Sequence, residues 1–446
     1  MHELLRQYAE EKLQETGEEA LIHSRHLHHF ATLAERAAPE LDGSKQEMWL
    51  DRLEMEQGNI RAALRWATES TEAETGLQLA GTLARFWLIR GHLQEGRRWF
   101  EELLPKGSHA APSVRAEGLH GAGLLAYAQG DHQQATEYYA QALALKRTLG
   151  DKRSMATLLG NLGLLAHVRG NLEQARAFHT ENLALARELG EARGVAVSLN
   201  NLGNVAYMQG DYEQAQALHQ ESLTWMRESG DKRGVAALLT NLGTLAYAQG
   251  NYALARTFHQ ESLTLFRELG VKRSIVTALS NLGVITSILG DHAGGRALLE
   301  ECVSRARELG DKRWTAIGLN RLGDVIFAEG DVNRAVELHR QSLAMAHQVQ
   351  DQERVVLSLI SLAKVAGNRE DAPRAIRLFG AADALRAAIG IVLAPPERNA
   401  YERCVAATRA KLNAETFAAA WDVGKAMSLE QAVEYALANE GLTRDA

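Results

Sequence analysis

The chain has 446 residues, of which 46% are hydrophobic and only 6% aromatic, and its formal net charge is −7. That balance excludes the broad cationic surface nucleic acid binding requires, and two cysteines far apart, Cys302 and Cys404, form neither a disulfide framework nor a zinc pattern. No apolar stretch reaches the roughly 20 residues of a membrane-spanning helix, and the charged start Met1-His2-Glu3-Leu4-Leu5-Arg6 does not read as a signal peptide, which points to the cytoplasm.

In chain order, residues 1–75 read as an N-terminal helical cap. Trp49, Trp66, Trp87 and Trp99 place four of the seven tryptophans before residue 100, in a region without the repeated text that follows. His23, His26, His28 and His29 cluster on one predicted helix, and His26 with His29 has ligand-like spacing. A solvated or half-buried helix face is the expected reading, so no metal is assigned. Residues 76–111 read as a degenerate first helix pair with its connector, in which Gly91 and Gly96 stand for a turn glycine and a small packing residue.

Residues 112–390 form an array. Asn161-Leu162-Gly163, Asn201-Leu202-Gly203, Asn241-Leu242-Gly243 and Asn281-Leu282-Gly283 recur in one register, followed by Arg321-Leu322-Gly323. A fixed period of this length means one supersecondary unit stacked on copies of itself. Seven residues after each such glycine comes another, at Gly130, Gly170, Gly210, Gly250, Gly290 and Gly330, always followed by Asp or Asn. Glycine takes the left-handed conformation that ends a helix, and the short acceptor side chain caps the next one. Gln134, Gln174 and Gln214 stand three residues after the cap and predict capping boxes. Gly150, Gly190, Gly230, Gly270 and Gly310 end the second helix, and Asp151, Asp231 and Asp311 cap the next first helix. Each copy is therefore two antiparallel helices, for example about 154–169 and about 171–189. The inner glycine is costly in a helix. With Ala135, Ala175, Ala215, Ala255 and Ala335 twelve residues on, it predicts a close approach of the two helix axes. No proline falls within 113–372, so the helices run unbroken. Residues 391–446 read as a C-terminal helical cap.

The Leu-Gly pair, the Gly-Asp turn and the later Ala resemble the tetratricopeptide repeat, although that motif has a usual period of about 34 residues. The extra length resides in the second helix and the Gly-Asp-Lys-Arg connector, as in the long repeats of the Pins/LGN adaptor class, kinesin light chain and many bacterial regulatory proteins. HEAT and armadillo pairs lack this arrangement. The resemblance implies an all-α, right-handed α-α superhelical solenoid of tetratricopeptide-type helix pairs with helical caps at both ends.

The ends resemble the segments flanking the repeats of bacterial STAND-type signalling ATPases, including LuxR-type transcriptional regulators. The matching strings are Leu4-Leu5-Arg6-Gln7-Tyr8-Ala9, Trp49-Leu50-Asp51-Arg52-Leu53-Glu54, Asn59-Ile60-Arg61-Ala62-Ala63-Leu64 and Gly91-His92-Leu93-Gln94-Glu95-Gly96-Arg97-Arg98-Trp99, then Leu378-Phe379-Gly380-Ala381-Ala382, Pro395-Pro396-Glu397-Arg398 and Trp421 to Ala436. The phosphate-binding string Gly-x-x-x-x-Gly-Lys-Ser/Thr is not present: Gly424-Lys425 is followed by Ala426. The expectation is a repeat arm without its motor and without a DNA-reading helix-turn-helix.

In this architecture the first helices line a concave groove. Residues three before, one after and four after the inner glycine point into it: His120, Leu124 and Tyr127; Gly160, Leu164 and His167; Asn200, Asn204 and Tyr207; Thr240, Thr244 and Tyr247; Ser280, Val284 and Ser287; Asn320, Asp324 and Phe327. These vary among polar and aromatic types while their neighbours stay Leu or Ala, as a recognition surface requires. Asn and Thr offer hydrogen bonds to an extended peptide, and the aromatic rings offer flat contacts. His179, His219, His259 and His339 recur at a position that also holds Tyr139 and Phe379, which marks a packing site. The basic pairs Lys152-Arg153, Lys232-Arg233, Lys272-Arg273 and Lys312-Arg313 are expected to pair with neighbouring acids. No catalytic residue and no cofactor is assigned. The expected function is a non-catalytic, regulatory scaffold that binds a protein or peptide, not nucleic acid or membrane. The alternative is the sensor arm of a STAND-type ATPase transcriptional regulator, working with a separate ATPase or DNA-binding regulator.

Overall fold

The computed structural model describes residues 12, 15–43, 45–391, 393 and 395–438, so the string Leu4 to Ala9 and the last eight residues lie outside the described part. All regular elements among the described residues are helical. The chain forms two compact units, Met1–Gln209 and Gly210–Ala446, divided inside the repeat array.

In the first unit, α1 (Glu19–Ala37) leads through a short 3-10 turn to α2 (Gln46–Met55) and α3 (Gln57–Glu69). Pairs follow: α4 (Ala73–Arg90) with α5 (Leu93–Lys106), α6 (Pro112–Ala128) with α7 (His132–Leu149), and α8 (Lys152–Val168) with α9 (Leu172–Glu188), then α10 (Ala192–Met208). Trp49, Trp87 and Trp99 join Phe86, Phe100 and the leucines of α1 to α6 in one continuous core. The degenerate pair behaves as its glycines predict: Gly91 takes φ 80° at the end of α4. A Cβ at Gly96 would lie 2.6 Å from the Trp87 ring.

The second unit holds α11 (Tyr212–Glu228), α12 (Lys232–Ala248) with α13 (Tyr252–Glu268), and α14 (Lys272–Ile288) with α15 (His292–Glu308). Next come α16 (Lys312–Ala328) with α17 (Val332–Gln348), and α18 (Gln352–Asn368) with α19 (Ala372–Ile389). Three closing helices end it: α20 (Pro395–Arg409), α21 (Ala414–Lys425) and α22 (Leu429–Leu437). Within each unit the two helices of a pair pack together, and the first helix also meets the first helix of the next pair, as with α8 and α10 or α14 and α16.

The turns work as the sequence predicts, with one correction. Gly130 adopts φ 80°, and Asp131 donates its N–H to Ala126 O at 3.0 Å while its Oδ1 accepts from Gln134 N at 3.1 Å. The same cap forms at Asn171, Asp211, Asn251, Asp291 and Asp331. The expected capping boxes at Gln134 and Gln174 do not form, because the N–H that the Gln side chain would take is already given to the preceding helix: Asn171 N donates to Ala166 O at 2.8 Å. A capping box does occur at Ser428 and Gln431, where no helix closes immediately before. Two turns late in the array use Gln350 (φ 56°) and Glu370 (φ 65°) in place of glycine.

The inner glycine serves a larger neighbour than the expected alanine. A Cβ at Gly123, Gly243 or Gly323 would lie 2.6 Å from the ring of Tyr139, His259 or His339, and one at Gly163 would overlap the ring of His179. A flat ring from the second helix thus fills the space that a missing side chain leaves on the first. In the pair α14 and α15, Leu299 takes the ring's place over Gly283.

Candidate peptide-binding walls

In the first unit the candidate residues stand on α6, α8 and α10. Tyr127 is 40% exposed and stacks on His132 with ring centroids 5.8 Å apart. Leu164 is 42% exposed, and Leu124, His167, Asn200, Asn204 and Tyr207 are half-buried. His120 tilts against Tyr139 at 5.8 Å, and burial lowers the pKa of both His120 and His167. Three further apolar residues continue this stripe, and the sequence reading missed them: Val168 and Met208 lie four residues beyond Leu164 and Asn204, and Val197 seven before Asn204. They are 55%, 57% and 41% exposed. Their signal was apolar character at helical spacing on a face that the core does not use.

In the second unit, on α12, α14 and α16, the equivalent residues are more engaged. Thr240 Oγ1 lies 2.8 Å from Ser262 Oγ and donates to Ala236 O, while Thr244 donates to Thr240 O at 3.0 Å. Asn320 Oδ1 lies 3.0 Å from His339 Nδ1 and accepts from it, and Asn320 Nδ2 donates to Ser361 Oγ at 3.3 Å. Asp324 accepts from Ser361 at 3.2 Å, and Phe327 packs on the core cluster of α16 and α17. Val284 is half-buried. Tyr247 tilts against Tyr252 at 5.7 Å, and burial raises its pKa well above the ordinary tyrosine value, with Glu397 of α20 adding to the effect.

Ser280 and Ser287 do not face an open groove, which corrects the expectation for both. Both are buried: Ser280 accepts from Arg321 Nη1 at 2.8 Å, and Ser287 Oγ lies 2.8 Å from His292 Nδ1. The cause at Ser280 is Arg321, which replaces the Asn of four sister copies and also donates to Asn281 Oδ1 at 2.8 Å. A longer side chain reaches across the neighbouring first helix and covers the serine.

The other chemical groups are structural. His179, His219 and His259 are buried, and desolvation lowers each pKa to about 4, so the rings are neutral near pH 7. Cys302 is buried, its thiol is pushed up to about 11 by burial, and its Sγ donates to Val276 O at 3.5 Å. It occupies the place of Ser262 and Ser342, whose hydroxyls donate to Ala236 O and Ala316 O. Of the histidine cluster, His23 stacks on Trp66 at 4.9 Å, His26 and His29 flank Phe30, and His28 Nδ1 lies 2.9 Å from Ser24 O. Among the described residues no group of three or more His, Cys, Asp or Glu side chains is placed to hold a metal ion. The basic connectors pair between repeats: Lys152 with Glu188, Arg153 with Glu191 at 2.8 Å, Arg273 with Asp311 at 2.9 Å and Arg313 with Asp351 at 2.7 Å. No helix among the described residues is long and apolar enough to cross a membrane.

The tetratricopeptide repeat profile matches residues 114–188, 154–226, 194–268 and 274–348, together just over half of the chain. The chain belongs to the tetratricopeptide repeat family. A Mycobacterium tuberculosis protein named as an HTH-type transcriptional regulator is 34% identical over 165 residues, 35% of this chain. That match spans only 18% of the relative's length. Among solved structures, aspartyl phosphate phosphatase F from Bacillus subtilis superimposes with a TM-score of 0.57 at 12% identity, covering 80% of this tetratricopeptide repeat chain and 94% of that one. A STAND signal-transduction ATPase with a tetratricopeptide repeat sensor from Pyrococcus horikoshii gives a TM-score of 0.53 at 16% identity, covering 76% of this chain and 55% of that one. At such identities these likenesses establish the shared helical-repeat fold.

Proposed function

We propose that this tetratricopeptide repeat protein is a non-catalytic regulatory scaffold that holds a peptide or protein segment on the wall of α6, α8 and α10. The observation that carries this reading is the set of exposed apolar side chains, Tyr127, Leu164, Val168, Val197 and Met208, beside Asn200 and Asn204. Apolar patches rimmed by polar groups are what partner surfaces offer, and amide side chains next to flat apolar ones suit an extended main chain. The buried, protonated Cys302 and the neutral seam histidines favour scaffold over catalyst. The phosphatase named above shares the fold alone, and function resides in sites rather than folds.

A second reading, favoured by the mycobacterial regulator and the STAND sensor, makes this wall the sensing surface of a regulator's repeat arm. Both readings need a ligand on the same wall. To test them, a random linear-peptide library is selected on the full chain, and the binders are measured against a variant with Asn204→Ala and Tyr207→Ala. We expect at least about tenfold weaker binding, the equivalent of about 1.4 kcal/mol, with unchanged helicity. Unaltered affinity, or no enrichment over a repeat protein of unrelated surface, refutes the assignment.

A further inference from the structure

The connectors between helix pairs carry a register of charge as well as of turns. Lys152 pairs with Glu188 and Lys232 with Glu268 at 3.7 Å, each 36 residues on. Arg153 pairs with Glu191, Arg273 with Asp311 and Arg313 with Asp351, each 38 residues on. In the second unit three cations fall outside this pattern. Val271 stands where Arg233 would find its acid, Gln348 stands where Lys312 would find a Glu, and Glu308, in register with Lys272, instead accepts from Ser304 Oγ at 3.3 Å. Among the described residues none of the three has a carboxylate within ion-pair distance, and all three are exposed. Val271 also leaves α14 without the side-chain cap that Asp311 and Asp351 give α16 and α18. Giving up a cap and a pair at one position breaks the chain's own local rule, as functional surfaces do.

Apolar side chains lie between these cations. Leu269 and Leu309 are 40% and 41% exposed, and Val271 and Val349 are half-buried. An open depression of about 490 Å³ is lined by Leu309, Val349, Arg273, Lys312 and Arg313, and the acid on its lining, Asp311, is already held by Arg273 at 2.9 Å. On the corresponding edge of the first unit Leu149 is 44% exposed, but Lys152 and Arg153 are both paired. Unmatched cations in successive copies leave a positive potential that attracts an anionic partner, and leucines beside them gain by leaving water. Neighbouring helices pack about 8–10 Å apart and an extended chain advances about 3.3 Å per residue, so roughly three extended residues span one copy.

We propose that the connector edge of the second unit, from Arg233 to Val349, is a docking strip for an extended acidic segment of a partner protein. Carboxylates at about every third residue meet Arg233, Lys272 and Lys312, and apolar side chains between them rest on Leu269, Leu309 and Val349. This strip is separate from the wall of α6, α8 and α10, and none of its test substitutions touches that wall, so the two ideas fail independently.

The probe is a labelled synthetic peptide of about fifteen residues repeating Glu-Leu-Ser, with the repeating Gln-Leu-Ser peptide as its control. Binding to the full chain is followed by fluorescence anisotropy at low and high salt. Saturable binding to the wild type is expected, at least about tenfold tighter than for the Gln peptide, weaker in high salt, and with slower amide exchange over 269–272 and 309–312. The variant Val271→Asp with Gln348→Glu removes no cation and restores acids that sister copies carry, so the fold has a precedent for it. By giving Arg233 and Lys312 partners within the chain, it should weaken binding at least about fivefold. Arg233→Ser with Lys272→Ser and Lys312→Ser should weaken it at least about tenfold, with helicity unchanged because all three residues are exposed. Lys152→Ser with Arg153→Ser takes two cations from the first unit's edge and should leave affinity as it was. The proposal is overturned if the Glu peptide does not bind the wild type, if the Gln peptide binds as well, or if either second-unit variant binds like the wild type. It is overturned equally if Lys152→Ser with Arg153→Ser costs as much as the triple change.

Discussion

The first helices of the two units carry the same register of side chains and put it to different use. On α6, α8 and α10 the stripe ends in exposed Leu164, Val168 and Met208, whereas on α12, α14 and α16 an exposed Ile288 stands among buried Ser280 and Ser287, bonded Thr240 and Asp324, and a Tyr247 close to α20. Identical spacing therefore does not make identical surface. What differs is one long side chain, Arg321, and one helix, α20, that returns over earlier pairs. The lesson is that a repeat fixes where a side chain starts, while its neighbours in space decide whether a ligand can reach it.

The largest expected difference between the units is in acid. The seam rings His179, His219 and His259 have folded-state pKa values near 4, below the ordinary 6.5, and that of His339 is also lowered by burial. Protons therefore bind the unfolded chain preferentially. Stability is unaffected above about pH 6.5 and falls as pH drops from 6.5 toward 4, by roughly 3 kcal/mol for each ring whose shift is fully expressed. The second unit has three such rings and the first has one, with Tyr139 in another place and with His120 and His167, whose pKa values burial lowers less, on the wall. Urea unfolding at pH 7 and pH 4.5, resolved by hydrogen exchange, should show the second unit losing more. Equal losses would mean that the rings are not the acid-sensitive element.

Next in size is Phe379→Ala, expected to cost about 3–5 kcal/mol because the ring is fully buried and holds Tyr401. Its effect should fall on the second unit and free α20, leaving exchange in α6 and α8 unchanged. Smaller, and alike in both units, are Gly163→Ala and Gly243→Ala. Each gains helix propensity of up to about 1 kcal/mol but drives a Cβ into a histidine ring, at a cost of about 1–3 kcal/mol, so net destabilisation is expected in thermal melts. A stabilised Gly163→Ala protein would show that the ring can move aside. The smallest change is Arg267→Ala, which removes an exposed pair with Glu301 at 2.8 Å and should cost under about 1 kcal/mol, vanishing in high salt.

Much of this was legible without coordinates. Helix limits of about 154–169 and 171–189 compare with Lys152–Val168 and Leu172–Glu188, since glycine at positive φ and an Asp or Asn cap are local devices written in adjacent residues. The packing role of the seam histidines was also readable, from their exchange with Tyr and Phe. The ring over the inner glycine was not, because the partners sit sixteen residues apart on different helices and both looked explicable alone. The capping boxes failed for a related reason: one N–H was claimed by two motifs, and the helix-closing bond took it.

The sequence by itself determined the repeat, its register, its turns and its family, because these rest on backbone conformation and on contacts between neighbouring copies that the period repeats. Only the tertiary structure decided which of these side chains are buried. That outcome depends on where Arg321 reaches and where α20 lies down, both of them contacts between segments far apart in the chain, and no period carries such information.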